Sequence, residues 1–144
     1  MANAGDFDQR AREVEERMTD DERFAMVASV MGANPIMPVR DERIPEDVPM
    51  SAGYVPGVER LGVPALLMSD ASLGVTNPGY RPGDSATALP AGVALGATFN
   101  PALARQSGAM LGREARSRGF NVQLAGGINL ARDPRDGRNF EYLG

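Results

Sequence analysis

A chain of 144 residues, 42% of them hydrophobic, is long enough for one domain with a core of its own. Its 15 basic and 19 acidic residues leave a net charge of −4 without any basic run, which argues against nucleic acid as a partner. Cysteine and histidine are both absent. The chain therefore contains no disulfide, thiolate nucleophile, histidine triad or histidine metal site, and no metal or organic cofactor is predicted.

No membrane interaction is predicted, because no apolar run approaches the roughly 20 residues that a membrane-spanning helix needs. The first ten residues also lack the apolar core of a signal peptide. This leaves the compartment open: the composition fits a cytoplasmic protein, and equally a periplasmic or secreted one whose signal has been removed.

Two amphipathic helices are predicted at the start of the chain, over residues 6–18 and 20–31. Thr19 precedes the second helix as its N-cap, with Glu22 at the third helical position, a pairing typical of a capping box. The apolar faces of the two helices consist of Phe7, Ala11, Val14, Met18, Phe24, Val27 and Met31. The methionines and Phe24 are predicted to pack in the core rather than to line a ligand groove.

Residues 34–57 contain five prolines and little periodicity, which predicts a long loop. Loops of this length are usually functional or poorly ordered, so both a site loop and a wrapping segment stay open. Residues 63–69 are apolar and predict a buried strand that ends at Asp70. Residues 90–98 are small and apolar, and predict either a short strand or a tight crossing over packed backbone.

The clearest predicted helix covers residues 101–118, with Asn100 as its N-cap and Gly119 just past its end. It leads into residues 122–125, an apolar run typical of a strand buried on both faces and ended by two glycines. Three basic residues in the last turns of the helix are predicted to complement its dipole rather than to bind substrate: Arg113, Arg116 and Arg118.

A strand, a helix and a second strand in this order are typical of a parallel sheet. Two strands cannot form a sheet that buries both of its faces, and a closed parallel barrel needs roughly 250 residues. The predicted fold class is therefore α/β, with residues 1–144 forming the opening segment of a (β/α)8 TIM-like barrel that is incomplete in this chain.

Polar residues follow both predicted strands, at the edge where a parallel barrel presents its site. Asp70 directly follows the first strand. Its carboxylate can accept charge-assisted hydrogen bonds from two neighbouring hydroxyl groups, or it can start an Asx-turn. Arg138 follows the second strand, and its planar guanidinium can fork onto two adjacent ligand oxygens or pair with Glu141.

The same charged segment contains further candidates around the site. Arg132 and Asp133 precede a proline and are predicted to form a salt bridge that fixes the loop, with substrate binding as the alternative. Asn129 and Glu141 are candidates to support the residues that bind the ligand.

Three stretches, in their order and spacing, resemble glycoside hydrolase family 3 in its β-glucosidase and β-xylosidase-like branch. They are R-L-G-V-P-A-L-L-M-S-D at 60–70, A-T-A-L-P-A-G-V-A-L-G-A-T-F-N-P at 86–101 and R-D-P-R-D-G-R-N-F-E-Y at 132–142. The resemblance covers roughly residues 9–144 and depends on all three stretches together, since each one alone is a weak signal.

The resemblance implies a β-linked glucoside or oligosaccharide as substrate, hydrolysed with retention through a covalent glycosyl-enzyme. It implies that Asp70 grips the outer hydroxyls of the sugar in the −1 subsite and that Arg138 reaches the same sugar. The family's nucleophile, acid/base and Lys-His pair lie downstream, so no catalytic residue is expected in this chain. The chain is expected to be inactive alone, with the remainder of the same enzyme as its partner and a homodimer left open. The alternative is a non-catalytic sugar-binding or pseudoenzyme module.

The chain departs from the family pattern after Asp70. The family often has Gly-Pro soon after this aspartate and an arginine six residues on, whereas this chain has Ala71, Ser72 and then Thr76. One contact to the sugar is therefore expected to be lost or to be supplied by Arg81. The identity of the sugar stays open.

Overall fold

A three-stranded sheet is the central feature of the computed structural model. β1 (Gly53–Val55) pairs antiparallel with β2 (Leu66–Asp70), which pairs parallel with β3 (Val122–Leu124). Asp70 stands opposite Leu124, so the carboxyl ends of the two parallel strands lie at one edge. The α/β class with a parallel strand pair is thus present in this chain. The structure describes residues 4–30, 41–49, 52–70, 72–76 and 85–144.

β1 corrects the prediction of a loop over residues 34–57. Tyr54 and Val30 exchange two main-chain hydrogen bonds of 2.8 Å, and both side chains are buried in a small core with Ile44. The prediction is wrong at residues 53–55 because a long-range partner and a core, neither visible in the local sequence, stabilise an extended backbone there. Pro56 ends the strand, since proline has no N–H to donate. Residues 31–40, 50 and 51 lie outside the described part.

The first two helices are shorter than predicted. α1 runs over Ala4–Glu15 and α2 over Asp20–Val27. The capping box of α2 is confirmed, because Thr19 Oγ1 accepts from the main-chain N–H of Glu22 at 3.3 Å. In return, Glu22 Oε2 accepts from the main-chain N–H of Thr19 at 2.8 Å. These reciprocal bonds satisfy donors that the helix itself leaves without partners.

The predicted core placement is wrong for Phe24, and four residues of the two apolar helix faces are exposed. Phe7, Phe24 and Val27 are 56%, 68% and 83% exposed, and Ala11 is exposed as well. Phe7, Ala11 and Val27 border an open apolar groove between the two helices and residues 61–64, which leaves them exposed. Met31 lies outside the described residues.

A short helix, α3 (Gly92–Gly96), occupies the stretch where a strand or a tight crossing is predicted. The strand is wrong, because a short apolar run does not distinguish a strand from a helix by its periodicity. The tight crossing is confirmed, since a Cβ atom on Gly92 would lie 2.6 Å from the main-chain oxygen of Glu141. On the next turn, a Cβ atom on Gly96 would lie closer still to the main-chain oxygen of Leu143.

The predicted long helix is confirmed as α4 (Pro101–Ser117). The Asn100 side chain accepts from the main-chain N–H of Leu103 at 3.1 Å, and Gly119 ends the helix with a φ of 92°. Its buried face contributes to the second core cluster, which consists of Val75, Leu111, Ala115 and Phe120.

β3 lies where the sequence predicts it, but it is not buried on both faces. Val122 and Gln123 are half-buried, and Leu124 is 48% exposed. Among the described residues β3 has β2 on one edge and no strand on the other, which explains the exposure. No helix in the described ranges is long and apolar enough to span a membrane.

Candidate functional site

A cleft of about 870 Å³ lies at the carboxyl edge of β2 and β3. Asp70 reaches it from the end of β2, and Arg138 reaches it from the charged segment after β3. Asn129 and Glu141 also line the cleft, whereas Arg132 and Asp133 are not among its lining residues. The structure thus brings together two residues that the sequence offers in separate motifs 68 positions apart.

Main-chain hydrogen bonds hold Asp70 in place. Its carbonyl accepts from the hydroxyl of Thr76, from the N–H of Thr76 at 3.3 Å, and from Ser69 Oγ at 3.0 Å. The Ser69 side chain is fully buried, so this turn has a rigid base. Thr76 therefore closes the loop at the spacing where the family pattern often has an arginine. Ala71 and Arg81 lie outside the described residues.

One wall of the cleft, formed by residues 72–76 and 86–88, is anchored to α4. The Glu114 carboxylate accepts from the main-chain N–H of Thr87 at 3.1 and 3.2 Å and from its hydroxyl at 3.3 Å. Gly74, with a φ of 136°, allows the two loops of this wall to meet, because a Cβ there would lie 2.6 Å from Thr87 O. A second tie joins the loops, since Leu89 N–H donates to Leu73 O at 2.8 Å. Sequence reasoning does not find this wall, because its contacts are all tertiary.

Arg138 forms an ion pair with Glu141 through Nε and Oε1. The pairing with Glu141 that the sequence offers is thus present, but it is not the buried ion pair expected for a purely structural role, because the Arg138 side chain is 72% exposed and lines the cleft. Glu141 is better covered, with 21% of its side chain exposed. The guanidinium beside Glu141 holds the pKa of this carboxyl below its usual range, and the carboxylate raises the pKa of Arg138 in turn.

The loop-fixing salt bridge predicted for Arg132 and Asp133 forms with a different partner. Asp133 Oδ2 lies 2.8 Å from a terminal nitrogen of Arg135, and the same carboxylate accepts from the main-chain N–H of Arg135 at 3.0 Å. The prediction of Arg132 as the partner is therefore wrong. The chain turns at Pro134 and folds Arg135 back over the aspartate, and the hydrogen bond from Arg135 lowers the pKa of Asp133.

Asn121 is a residue that sequence reasoning misses. Its side-chain Nδ2 donates to the carbonyl of Ala65 at 2.8 Å, and its Oδ1 accepts from the N–H of Leu67 at 2.8 Å. The amide thus continues the pairing of β3 with β2 before β3 begins, and it helps to set the register that places Leu124 beside Asp70. A lone asparagine before a strand carries no distinctive signal.

The described part of the chain contains no group of three or more acidic side chains placed to hold a metal ion. The side chains that line the cleft instead combine one carboxylate at a strand end, an ion pair and an amide. These groups suit a neutral ligand rich in hydroxyl groups, since they provide both acceptors and donors at fixed positions.

An α/β sheet with a polar cleft at the carboxyl edge of its parallel strands is the arrangement of barrel-type enzymes. The chain matches the model described as the glycosyl hydrolase family 3 N terminal domain over residues 13–143, so it belongs to this family. The resemblance seen in the sequence is thereby confirmed.

Curated relatives are β-glucosidases. The chain is 46% identical over 97 residues to β-glucosidase BoGH3A of Bacteroides ovatus, which covers 62% of this chain and 13% of that protein. It is 45% identical over 94 residues to probable β-glucosidase F of Emericella nidulans, and this match covers 65% of this chain and 10% of that protein.

Solved structures agree with these matches. The complex of Thermotoga neapolitana β-glucosidase 3B with glucose has a TM-score of 0.75 and 30% identity, over 92% of this chain and 18% of that one. The complex of Streptomyces venezuelae DesR, a β-glucosidase, with D-glucose has a TM-score of 0.72 and 34% identity, over 92% of this chain and 15% of that one. The chain therefore spans less than a fifth of the length of each relative.

Proposed function

We propose that this chain forms part of the −1 sugar subsite of a retaining β-glucosidase. The observation that carries the proposal is the presence of Asp70 and Arg138 on one cleft of about 870 Å³ at the carboxyl edge of the sheet. A carboxylate accepts hydrogen bonds from sugar hydroxyls, and a guanidinium donates hydrogen bonds to sugar oxygens. The two groups therefore bind the same sugar ring, one as an acceptor and the other as a donor. The β-glucosidase relatives, two of them solved with glucose, support this substrate class.

The other candidates have supporting roles in this proposal. Asn129 lies at the cleft and orients the bound sugar, and Glu141 holds Arg138. Asp133 fixes the loop through Arg135, while Arg132, exposed beside it, has no contact with the sugar.

We further propose that the chain is the opening segment of a (β/α)8 barrel whose other strands follow in the same polypeptide. Apolar residues at and after β3 support this, because Leu124, Ile128 and Leu130 are 48%, 80% and 58% exposed. Large apolar side chains exposed this close together in the sequence are expected where further strands or helices of a barrel cover them. The nucleophile and the acid/base then come from the remainder of the enzyme, and the 144 residues alone do not hydrolyse glucosides.

The test compares the 144-residue chain with the polypeptide encoded when its reading frame is extended past Gly144. We expect hydrolysis of aryl β-glucosides by the longer polypeptide, none by the shorter chain, and retention of anomeric configuration in the product. A reading frame that stops at Gly144, combined with glucose binding by the chain in a titration, would instead favour the non-catalytic sugar-binding module. An extended polypeptide without glycosidase activity overturns the proposal.

A further inference from the structure

The carbonyl of Glu141 lies between two glycines. Gly92 is the first residue of α3, and a Cβ atom on it would lie 2.6 Å from Glu141 O. Gly127 follows β3, and a Cβ on it would lie 2.5 Å from the same oxygen. Side chains do not approach a carbonyl this closely, so the backbone of Glu141 reaches this position only because both neighbours lack one.

Further main-chain contacts hold the same turn. The N–H of Leu143 donates to Gly127 O at 2.9 Å, and Gly127 forms a parallel bridge with Tyr142. At the other end, the N–H of Glu141 donates to Arg138 O at 3.1 Å. The turn that carries Glu141 is therefore tied by its backbone to Gly127 after β3, and Glu141 itself is tied to the backbone of Arg138.

The two members of the ion pair differ in how firmly they are held. Glu141 has a fixed backbone and a side chain that is only 21% exposed. Arg138 is 72% exposed at the cleft, and a long side chain in that position samples many rotamers unless a partner restricts it. The carboxylate is thus the fixed partner, and the guanidinium takes its orientation from it.

We propose that Glu141 is a positioning residue that orients the Arg138 guanidinium in the cleft, and that Gly92 and Gly127 set Glu141 by leaving room for its carbonyl. This inference rests on the proposed role of Arg138 in binding the sugar. Glu141 acts through Arg138 and makes no separate contribution to sugar binding. Its loss therefore matters only while Arg138 is present.

A double-mutant cycle in the extended polypeptide tests this dependence. The four proteins are the unmodified enzyme, Arg138→Ala, Glu141→Gln and the double variant, each assayed for kcat/KM on an aryl β-glucoside. We expect Glu141→Gln, which keeps the shape and removes the charge, to lower kcat/KM about tenfold when Arg138 is present. In the Arg138→Ala background the same change has no further effect. Melting temperatures are measured in parallel, because a loss caused by general destabilisation persists in both backgrounds.

The outcomes separate the two proposals. If Arg138→Ala lowers kcat/KM and Glu141→Gln lowers it equally in both backgrounds, the positioning role is wrong while sugar binding by Arg138 stands. The positioning role is also wrong, and sugar binding by Arg138 again stands, if Glu141→Gln alone has no effect. If Arg138→Ala leaves kcat/KM unchanged, the proposed subsite is wrong and the positioning role with it.

Substitution of Gly92 provides a second test of the proposal. Gly92→Ala places a methyl group against Glu141 O, and we expect it to lower kcat/KM in the same Arg138-dependent way as Glu141→Gln. Gly112→Ala on the exposed side of α4 is the matched control, because a Cβ there meets nothing within 4 Å, and its activity should match that of the unmodified enzyme. A folded Gly92→Ala enzyme with full activity removes the glycines from the proposal. If this variant does not fold, the cycle at Glu141 still decides the positioning role.

Discussion

Replacing Asp70 tests the proposed subsite most directly. Its backbone is held through the main-chain carbonyl, by Thr76 and by Ser69 Oγ, so a change of side chain leaves these hydrogen bonds in place. Asp70 is exposed at the end of β2, and its backbone pairing with Leu124 does not require the carboxylate. A folded Asp70 variant therefore keeps these main-chain contacts, and its activity reports on the side chain.

The size of the effect follows from the two hydrogen bonds that the carboxylate is proposed to accept. Each hydrogen bond to a charged group contributes about 1.5–3 kcal/mol, so Asp70→Ala removes about 3–6 kcal/mol of binding in the transition state. This corresponds to a fall in kcat/KM of roughly 10²- to 10⁴-fold. Asp70→Asn keeps the shape and one acceptor oxygen, and loses about 10- to 100-fold, because a neutral bond contributes only about 0.5–1.5 kcal/mol.

The assay is steady-state hydrolysis of an aryl β-glucoside by the extended polypeptide, with circular dichroism to verify that each variant is folded. Asp8→Ala is the matched control, because Asp8 is an exposed aspartate on α1 that does not line the cleft. We expect the control to retain full activity. If folded Asp70→Ala hydrolyses the glucoside as fast as the control, Asp70 does not bind the sugar in the transition state, and the reasoning from the cleft is refuted.

Three further predictions concern stability, the first two measured on the extended polypeptide and the third on the 144-residue chain alone. Hydrogen bonds from Arg60 and from the main chain of Thr19 lower the pKa of Glu22 from 4.5 to about 2. The ion pair of Glu22 with Arg60 therefore stabilises the fold above pH 4.5, and this stabilisation is lost as the pH falls towards 2. In the Arg60→Ala variant the melting temperature should fall less steeply between pH 4.5 and pH 2 than in the unmodified protein. An unchanged slope contradicts this. Asn121→Ala should lower the free energy of unfolding by about 1–3 kcal/mol, because two hydrogen bonds are lost. Urea denaturation measures this loss, with Asn129→Ala as the control. Equal stability of the two variants would refute the role of the Asn121 amide. Heating the 144-residue chain alone should give a broad calorimetric transition, because its apolar surface after β3 is open; a single sharp transition argues against an incomplete barrel.

Sequence reasoning succeeds where the signal is local. The capping box at Thr19 and Glu22, and the ends of α4 at Asn100 and Gly119, depend on residues a few positions apart, and the structure has all of them. The position of Asp70 at a strand end also follows from the apolar run before it. Local patterns therefore predict most of the framework that supports the site.

The remaining features depend on contacts between distant parts of the chain. β1 is stabilised by the bridge of Tyr54 to Val30 and by a shared core, which no periodicity reveals. The partner of Asp133 depends on how the chain turns at Pro134. In the sequence, only the family resemblance indicates a sugar as the ligand, because the position of Asp70 alone is equally consistent with an Asx-turn.

The two residues proposed to bind the sugar, Asp70 and Arg138, are held in place in different ways, and different changes should therefore weaken each of them. Asp70 belongs to a strand, and its backbone is fixed by the turn to Thr76 and by the register with β3. Arg138 is exposed, and its side chain depends on a carboxylate that is set by glycines of α3 and of the segment after β3. Disturbing α3 should therefore weaken the proposed contribution of Arg138 to sugar binding and leave the proposed contribution of Asp70 intact. The position of a residue at a strand end is fixed by the sheet, whereas the orientation of an exposed arginine depends on the residue that pairs with it.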